Sequence, residues 1–121
     1  MLLVDDEEAF VKVLFKRLSK RNIHVTPAAD GTEALQRMRH GNFNVVVLDL
    51  KMEGMDGIEV LKIIKKMAPE LPVIMLTGHG CQISAQDAFA NGAFDYLSKP
   101  YDFEDLLLKI REAFRRGKDT P

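Results

Sequence analysis

The carboxylate of Asp49 stands at the end of an apolar run, FNVVVLDL (43–50). A run without alternation of apolar and polar residues is typical of a strand that is covered on both faces. An ionised side chain at the end of such a strand costs free energy unless an opposite charge or a cation lies nearby. A second acidic cluster, DDEE (5–8), follows the apolar stretch 2–4, so the carboxylates of two segments are candidates for one cation site.

A hydroxyl and an ammonium group hold comparable positions later in the chain. Thr77 ends the apolar run PVIMLTG (72–78), and Lys99 directly follows AFDYLS (93–98). Each feature alone has an ordinary structural explanation, because a strand-end hydroxyl often bonds its own backbone and a lysine is usually solvated. The acidic cluster likewise could cap the first helix. Only the coincidence of Asp49, the acidic cluster 5–8, Thr77 and Lys99 at one edge of a sheet would indicate a site.

The elements that must position these side chains alternate between strand-like and helix-like apolar spacing. The predicted strands are 2–4, 23–29, 43–50, 72–78 and 93–98, and the helices contain KVLFKRLSKR, DGTEALQRMRHG, GIEVLKIIKKMAP, SAQDAFANG and DFEDLLLKIREAFRR. This alternation predicts an α/β fold with a parallel sheet wound on both faces. Pro27 puts the second strand at a sheet edge, since proline cannot donate to a ladder. In the first helix the apolar residues at helical spacing are Phe10, Val13, Leu14 and Leu18.

In doubly wound sheets, ligands bind outside the carboxyl ends of the strands. Asp5, Asp6, Asp49, Thr77 and Lys99 are therefore expected to converge at one edge. Oxygen ligands at this density suit Mg²⁺, and a Mg²⁺ site beside a lysine and a hydroxyl suits a phosphoryl group. An aspartate can itself act as the nucleophile and form an acyl phosphate.

Composition narrows the class of protein. With 17 basic and 18 acidic residues in 121, the formal net charge is −1, which gives no bulk attraction to nucleic acid or to an anionic membrane. The single cysteine, Cys81, excludes an internal disulfide framework. No apolar run approaches the roughly 20 residues of a membrane span, and MLLVDDEE turns acidic too early for a signal peptide. We expect one cytoplasmic domain over residues 1–121.

Four motifs, LLVDDE, LDLKMEGMDG, LTGHG and GAFDYLSKP, occur in an order and spacing that resemble the receiver domain of two-component response regulators. The resemblance runs over essentially all 121 residues. It implies a flavodoxin-like fold with five helices and strand order 2-1-3-4-5. It also implies a bacterial signalling switch that is not primarily an enzyme and catalyses only its own phosphorylation and dephosphorylation.

The resemblance also implies roles for the acidic residues. Asp49 would be the phosphoacceptor. Mg²⁺, the implied cofactor, would be bound by Asp6, Asp49 and the backbone carbonyl of Lys51, with Asp5 assisting through water. The donor would be a histidine kinase or a phosphotransfer protein.

The remaining implied roles concern the relay of the signal. Thr77 and Lys99 would bind phosphoryl oxygens, and the Lys99–Pro100 bond would be cis. Thr77 would then move, and Tyr96, the aromatic switch residue, would rotate into the space it leaves. The partner surface for an effector domain or downstream protein would be the fourth helix, fifth strand and fifth helix, and a phosphorylation-dependent homodimer remains open.

Three alternatives use the same fold or chemistry. A phosphatase of the haloacid dehalogenase type needs a second aspartate two residues after the nucleophile, where this chain has Lys51. A flavodoxin-type flavin carrier binds a phosphate at its first loop, and DDEE would repel that phosphate. A pseudo-receiver acting only as a binding module would usually have lost the acidic pair, the acceptor or the lysine, and all of these are present.

Overall fold

Strands and helices alternate strictly along the chain. The structure is a computed structural model that describes residues 1–49, 57–78 and 85–118. Residues 117 and 118 are described by their backbone alone. Its elements are β1 (Leu2–Val4), α1 (Glu8–Ser19), β2 (Thr26–Ala28), α2 (Gly31–His40), β3 (Val46–Asp49), α3 (Gly57–Met67), β4 (Val73–Thr77), α4 (Ala85–Ala90), β5 (Asp95–Ser98) and α5 (Phe103–Lys118). No helix in these ranges is long and apolar enough to cross a bilayer.

The five strands form one parallel sheet in the order β2-β1-β3-β4-β5, which confirms the predicted fold class. Pro27 lies in β2 at the edge, as predicted, and β3 is central and wholly buried. β1 spans the predicted residues 2–4, whereas β2, β3, β4 and β5 are shorter than predicted. Ile23 and Val25, for example, precede β2 and are buried, so their apolar character serves packing and not ladder pairing.

Alternate residues of the strands pack on opposite faces of the sheet. One face holds Leu3, Val47, Ile74 and Leu76 with side chains of α1 and α5, and the other holds Val4, Leu48 and Met75 with side chains of α2, α3 and α4. Because both faces are covered, every position in β3 is apolar or buried, which explains the missing alternation in the sequence.

The buried side of α1 is narrower than its apolar spacing predicts. Leu14 and Leu18 are buried and Phe10 is partly buried, three residues that repeat every fourth position. Val13, which the spacing grouped with them, is 54% exposed, because it lies on the flank of the helix that faces away from the sheet. The spacing thus predicted the helix correctly but does not show which of the four residues it buries.

Gly92 lies in the turn between α4 and β5 and has a backbone conformation that favours glycine. Its φ is +98°, and a Cβ added there would lie 3.3 Å from the Cγ of Lys65. We expect Gly92→Ala to lower the free energy of unfolding by about 1 to 3 kcal/mol, because side chains rarely adopt this backbone conformation. Urea titration measures the change.

Gly41 is the matched control, since it also follows a helix but has an extended backbone with φ of −158°. A Cβ there would meet its nearest atom at 3.6 Å, an ordinary contact. Gly41→Ala should change the unfolding free energy by less than about 0.5 kcal/mol. Equal effects of the two substitutions would contradict the strain assigned to Gly92.

Candidate functional site

The first two carboxylates meet because β1 and β3 are neighbours in the sheet. Val4 pairs with Leu48 across this parallel ladder, so Asp5 and Asp49 lie one residue further along at the same edge. Each is only 3% exposed. Burial, followed by the negative charge of Asp49, raises the pKa of Asp5 to about 6.

Lys99, which directly follows β5, supplies a positive charge to the site. Its Nζ donates to Oδ2 of Asp49 at 2.7 Å, and its backbone N–H donates to the carbonyl of Thr77 at 2.7 Å. The same ammonium group lies 4.6 Å from the centre of the Phe10 ring, whose face attracts cations. The Lys99–Pro100 bond is cis, as the resemblance implies. A charge-assisted bond to a buried carboxylate holds the ammonium in one place.

Thr77 lies on β4, next to the strand that carries Asp49, and Tyr96 lies one strand further along the sheet, on β5. Asp49 pairs with Leu76, so Thr77 is buried one residue beyond it on β4. Tyr96, on β5, pairs with Met75 of β4 and packs, half-buried, on the sheet face that α3 and α4 cover. The predicted switch pair therefore occupies adjacent strands, with Thr77 at the carboxyl end of β4 and Tyr96 within β5.

Asp6 does not join this group. It is exposed, and the residues that the structure describes contain no cluster of three or more acidic, histidine or cysteine side chains arranged to hold a metal ion. In these ranges two carboxylates, those of Asp5 and Asp49, are buried at the same edge, and the metal-ligand role of Asp6 stays a prediction. A third carboxylate beside two buried ones would add repulsion, whereas water solvates it well. Lys51 lies outside the described residues.

Helix capping does not account for Asp5. The N-cap residue of α1 is Glu7, whose side chain makes no capping bond. Oδ1 of Asp5 accepts from the backbone N–H of Glu7 at 2.9 Å, which fixes the orientation of the Asp5 carboxylate outside the helix. The bond to the start of the helix therefore accounts for Oδ1 of Asp5 but not for Oδ2.

The donor set fits a small divalent cation. Oδ2 of Asp5 is buried and has no hydrogen-bond partner in the described part of the chain. Two buried carboxylates against one ammonium leave an excess negative charge at the edge of the sheet. Mg²⁺ typically takes one or two protein carboxylates and keeps several waters, so these two oxygen donors suit it.

Two aromatic residues at the site were not identified from the sequence. Phe10 was assigned to the apolar face of α1, but its ring also contacts the Lys99 ammonium. Tyr101 follows Lys99 by two residues, and its buried hydroxyl has no hydrogen-bond partner among the described residues. A tyrosine so close to a strand-end lysine was the available signal for it.

A parallel sheet in the order 2-1-3-4-5, with aspartates and a lysine converging at its carboxyl edge, defines the flavodoxin-like class of α/β domains with a strand-end site. The family model of the response regulator receiver domain matches residues 1–111, and the chain belongs to this family. The resemblance is therefore confirmed. Receiver domains act in two-component signalling, and accepting a phosphoryl group is general to the family.

Similar proteins come from several bacteria. The chain is 39% identical over 113 residues to the transcriptional regulatory protein ZraR of Klebsiella oxytoca, covering 93% of this chain and 26% of the relative. It is 36% identical over 117 residues to the transcriptional regulatory protein YkoG of Bacillus subtilis, covering 97% and 51%. The chain thus spans about a quarter to a half of the length of these relatives.

Among solved structures, the crystal structure of a response regulator receiver domain protein from Clostridium thermocellum is 36% identical, with a TM-score of 0.90. That match covers 97% of this chain and 94% of the other. The crystal structure of a CheY-like receiver domain protein from Methanospirillum hungatei gives a TM-score of 0.91 at 30% identity, covering 99% and 96%.

Proposed function

We propose that the chain is a phosphorylation-controlled switch in which Asp49 accepts the phosphoryl group. The observation that carries this proposal is the 2.7 Å contact between Lys99 Nζ and Asp49 Oδ2 beside the buried Asp5. The site combines a nucleophilic oxygen, a fixed cation and an acidic neighbour. These are the groups that phosphoryl transfer to an aspartate requires.

The transfer starts from a phosphohistidine on a histidine kinase or phosphotransfer protein. An oxygen of Asp49 attacks phosphorus, the new O–P bond forms, and the P–N bond breaks with its electron pair returning to the imidazole. Lys99 already touches Asp49 and so can bind a phosphoryl oxygen without a large rearrangement. Thr77, buried on the neighbouring strand, is the second candidate donor to the phosphoryl oxygens.

Mg²⁺ is the proposed cofactor, held by Asp6, Asp49 and the backbone carbonyl of Lys51, with Asp5 assisting through water. When bound, it neutralises negative charge on the carboxylates and on the phosphoryl oxygens. Asp5 and Asp49 offer buried acceptor oxygens for this purpose. Asp6 is exposed and follows Asp5 directly in the chain, and the proposal requires its side chain to turn toward the site.

The proposed relay runs from Thr77 to Tyr96. A phosphoryl group adds negative charge and acceptor oxygens at Asp49, which favours movement of the Thr77 hydroxyl toward it. Tyr96 then rotates into the space beside β4. Because Tyr96 lies on β5 next to α4, its movement changes the surface of α4, β5 and α5, the proposed docking face for an effector domain or downstream protein.

The wider setting follows from the relatives. Several are transcriptional regulatory proteins longer than this chain, so we propose that the receiver, residues 1–121, controls an effector module. The near-neutral formal charge of −1 argues against direct binding of nucleic acid by the receiver itself. The same proposal includes a cytoplasmic location and a phosphorylation-dependent homodimer. The only reactions that it assigns to the receiver as a catalyst are the formation and hydrolysis of the acyl phosphate on Asp49.

A phosphoryl mimic tests the switch. Mg²⁺ with beryllofluoride should shift the backbone amide resonances of Thr77, Lys99 and Tyr96, together with those of α4 and α5, at one equivalent of the complex. The matching titration with beryllofluoride and EDTA should leave the spectrum unchanged. An unchanged spectrum with Mg²⁺ present would contradict the proposal.

Tyr96 should be needed for the relay and not for the chemistry. We expect Tyr96→Ala to bind beryllofluoride within about threefold of wild type but to lose most of the amide shifts in α4, which packs on the same sheet face as Tyr96, because no ring moves. Tyr96→Phe is the matched control, since it keeps the ring and should keep those shifts. If Tyr96→Ala gave the full set of shifts, the signal would travel by another route.

A further inference from the structure

The ammonium group of Lys99 lies between two partners of different chemistry. Its Nζ is 2.7 Å from Oδ2 of Asp49, and it lies over the face of the Phe10 ring, 4.6 Å from the ring centre. The first contact is an ion pair, and the second is a cation–π contact, in which the electron-rich face of the ring attracts the cation. The Lys99 side chain is only 23% exposed, so both contacts are largely shielded from water, which strengthens them.

The Phe10 ring is itself fixed in place. It lies near the start of α1, is partly buried and packs against the core on the sheet face that α1 and α5 cover. The ring of Tyr101 meets it edge-on, at an interplanar angle of 80° and with the ring centres 6.4 Å apart. Aromatic pairs favour this geometry. Phe10 therefore presents its face to Lys99 from a defined position.

The two contacts respond differently to phosphoryl transfer. When an oxygen of Asp49 bonds to phosphorus, as the P–N bond of the donor breaks, the carboxylate becomes a mixed anhydride and loses its negative charge. The ion pair that holds Lys99 in the resting protein therefore weakens just when the phosphoryl oxygens need a cation beside them. The ring takes no part in the reaction, so its attraction for the ammonium is unchanged.

We propose that Phe10 is a positioning residue for Lys99, whose ammonium its ring keeps at the site while Asp49 loses its charge. A ring face attracts a cation without the strict direction of a hydrogen bond, so the ammonium can move from the Asp49 oxygen to a phosphoryl oxygen and stay over the ring. In the resting protein the ion pair already fixes Lys99, so the ring contributes more in the transition state, and only such a difference raises the rate. This role rests on the proposed function.

Fluorination of Phe10 separates this role from simple packing, which needs the volume of the ring but not its π electrons. Each fluorine withdraws electron density from the ring face and changes the ring's size only slightly. Mono-, di- and trifluorinated phenylalanine at residue 10 should lower the rate constant of phosphoryl uptake from acetyl phosphate and Mg²⁺ stepwise, to about a fifth of the wild-type value for the trifluorinated ring. Intact-protein mass spectrometry over time measures the rate. A rate constant that fluorination leaves unchanged would overturn the proposal.

Phe94 is the matched control for the fluorinated series. Its ring also faces a cation, the guanidinium of Arg116 at 5.7 Å from the ring centre, but it precedes β5 at the amino end of that strand, away from Asp49. The same fluorinated residues at position 94 should leave the uptake rate at the wild-type value. Equal slowing by both series would contradict a specific role for Phe10.

The side-chain protons of Lys99 give a readout that does not depend on phosphoryl transfer. A ring face shields protons above it, so the Hε resonances of Lys99 should lie upfield of those of exposed lysines in the wild type and in Phe10→Tyr, and return to the ordinary position in Phe10→Leu. Phe10→Tyr, which keeps the ring, should also keep the uptake rate. A wild type that takes up no phosphoryl group would overturn the proposed function, whereas unshielded Lys99 protons in the wild type would overturn the role of Phe10.

Discussion

Replacing Asp49 with asparagine should reduce phosphoryl uptake from acetyl phosphate to background. A carboxamide keeps the size of the side chain and an acceptor oxygen for Lys99, but it lacks the anionic nucleophile that attacks phosphorus. The fold should persist, since the change removes one of two buried like charges at the sheet edge. Intact-protein mass spectrometry after incubation with Mg²⁺ and acetyl phosphate measures the uptake directly.

Asp95 offers a matched control for this variant. It also forms an aspartate–lysine ion pair, with Lys109 Nζ 2.8 Å from its Oδ2, but at the amino end of β5, away from the site. Asp95→Asn should therefore accept a phosphoryl group at the wild-type level. Uptake by the Asp49→Asn variant, or equal loss in both, would mean that the acceptor is elsewhere or that any broken ion pair suffices.

The fold could be predicted from the sequence because its signals are local and repeated. Pro27 and the uninterrupted run in β3 even identified an edge strand and the central strand before any pairing was known. Strand ends were less accurate, as Ile23 shows: a buried residue beside a strand has the same composition as one within it. Val13 shows the corresponding limit for helices, where spacing gives a stripe but not its edges.

The site was predictable where chain topology alone places a residue. Strand-end residues of a parallel sheet meet at one edge, so the proximity of Asp5, Asp49 and Lys99 followed from the strand assignments. Side-chain direction does not follow from topology, and this explains why Asp6, one residue beyond Asp5, is exposed instead. Tyr101 was missed for the same reason, since the burial of its hydroxyl depends on ring packing against Phe10.

Asp5→Asn should stabilise the metal-free protein, by an amount that grows as the pH rises from about 4 to 6 and is complete above the folded-state pKa of Asp5. Burial and Asp49 raise that pKa from 3.8 to about 6, so the folded state binds this proton more tightly than the unfolded chain does. Wild-type stability from this group therefore increases as the pH falls from 6 toward 4. A shift of this size corresponds to about 3 kcal/mol, which the asparagine variant should gain at pH 7.5.

Urea unfolding in EDTA at pH 4 and pH 7.5 measures both ends of this window. The advantage of Asp5→Asn should fall below about 1 kcal/mol at pH 4, where the folded carboxyl is protonated and the unfolded one, with a pKa of 3.8, is partly protonated. Asp6→Asn is the matched control, because the neighbouring exposed carboxylate should change stability by less than about 0.5 kcal/mol at either pH. Adding Mg²⁺ should shrink the advantage of Asp5→Asn at pH 7.5, since a cation that binds the wild-type carboxylates stabilises the folded state by mass action. If the advantage were equal at both pH values, ionisation of Asp5 would not be its cause, and the gain would come from packing around residue 5 instead.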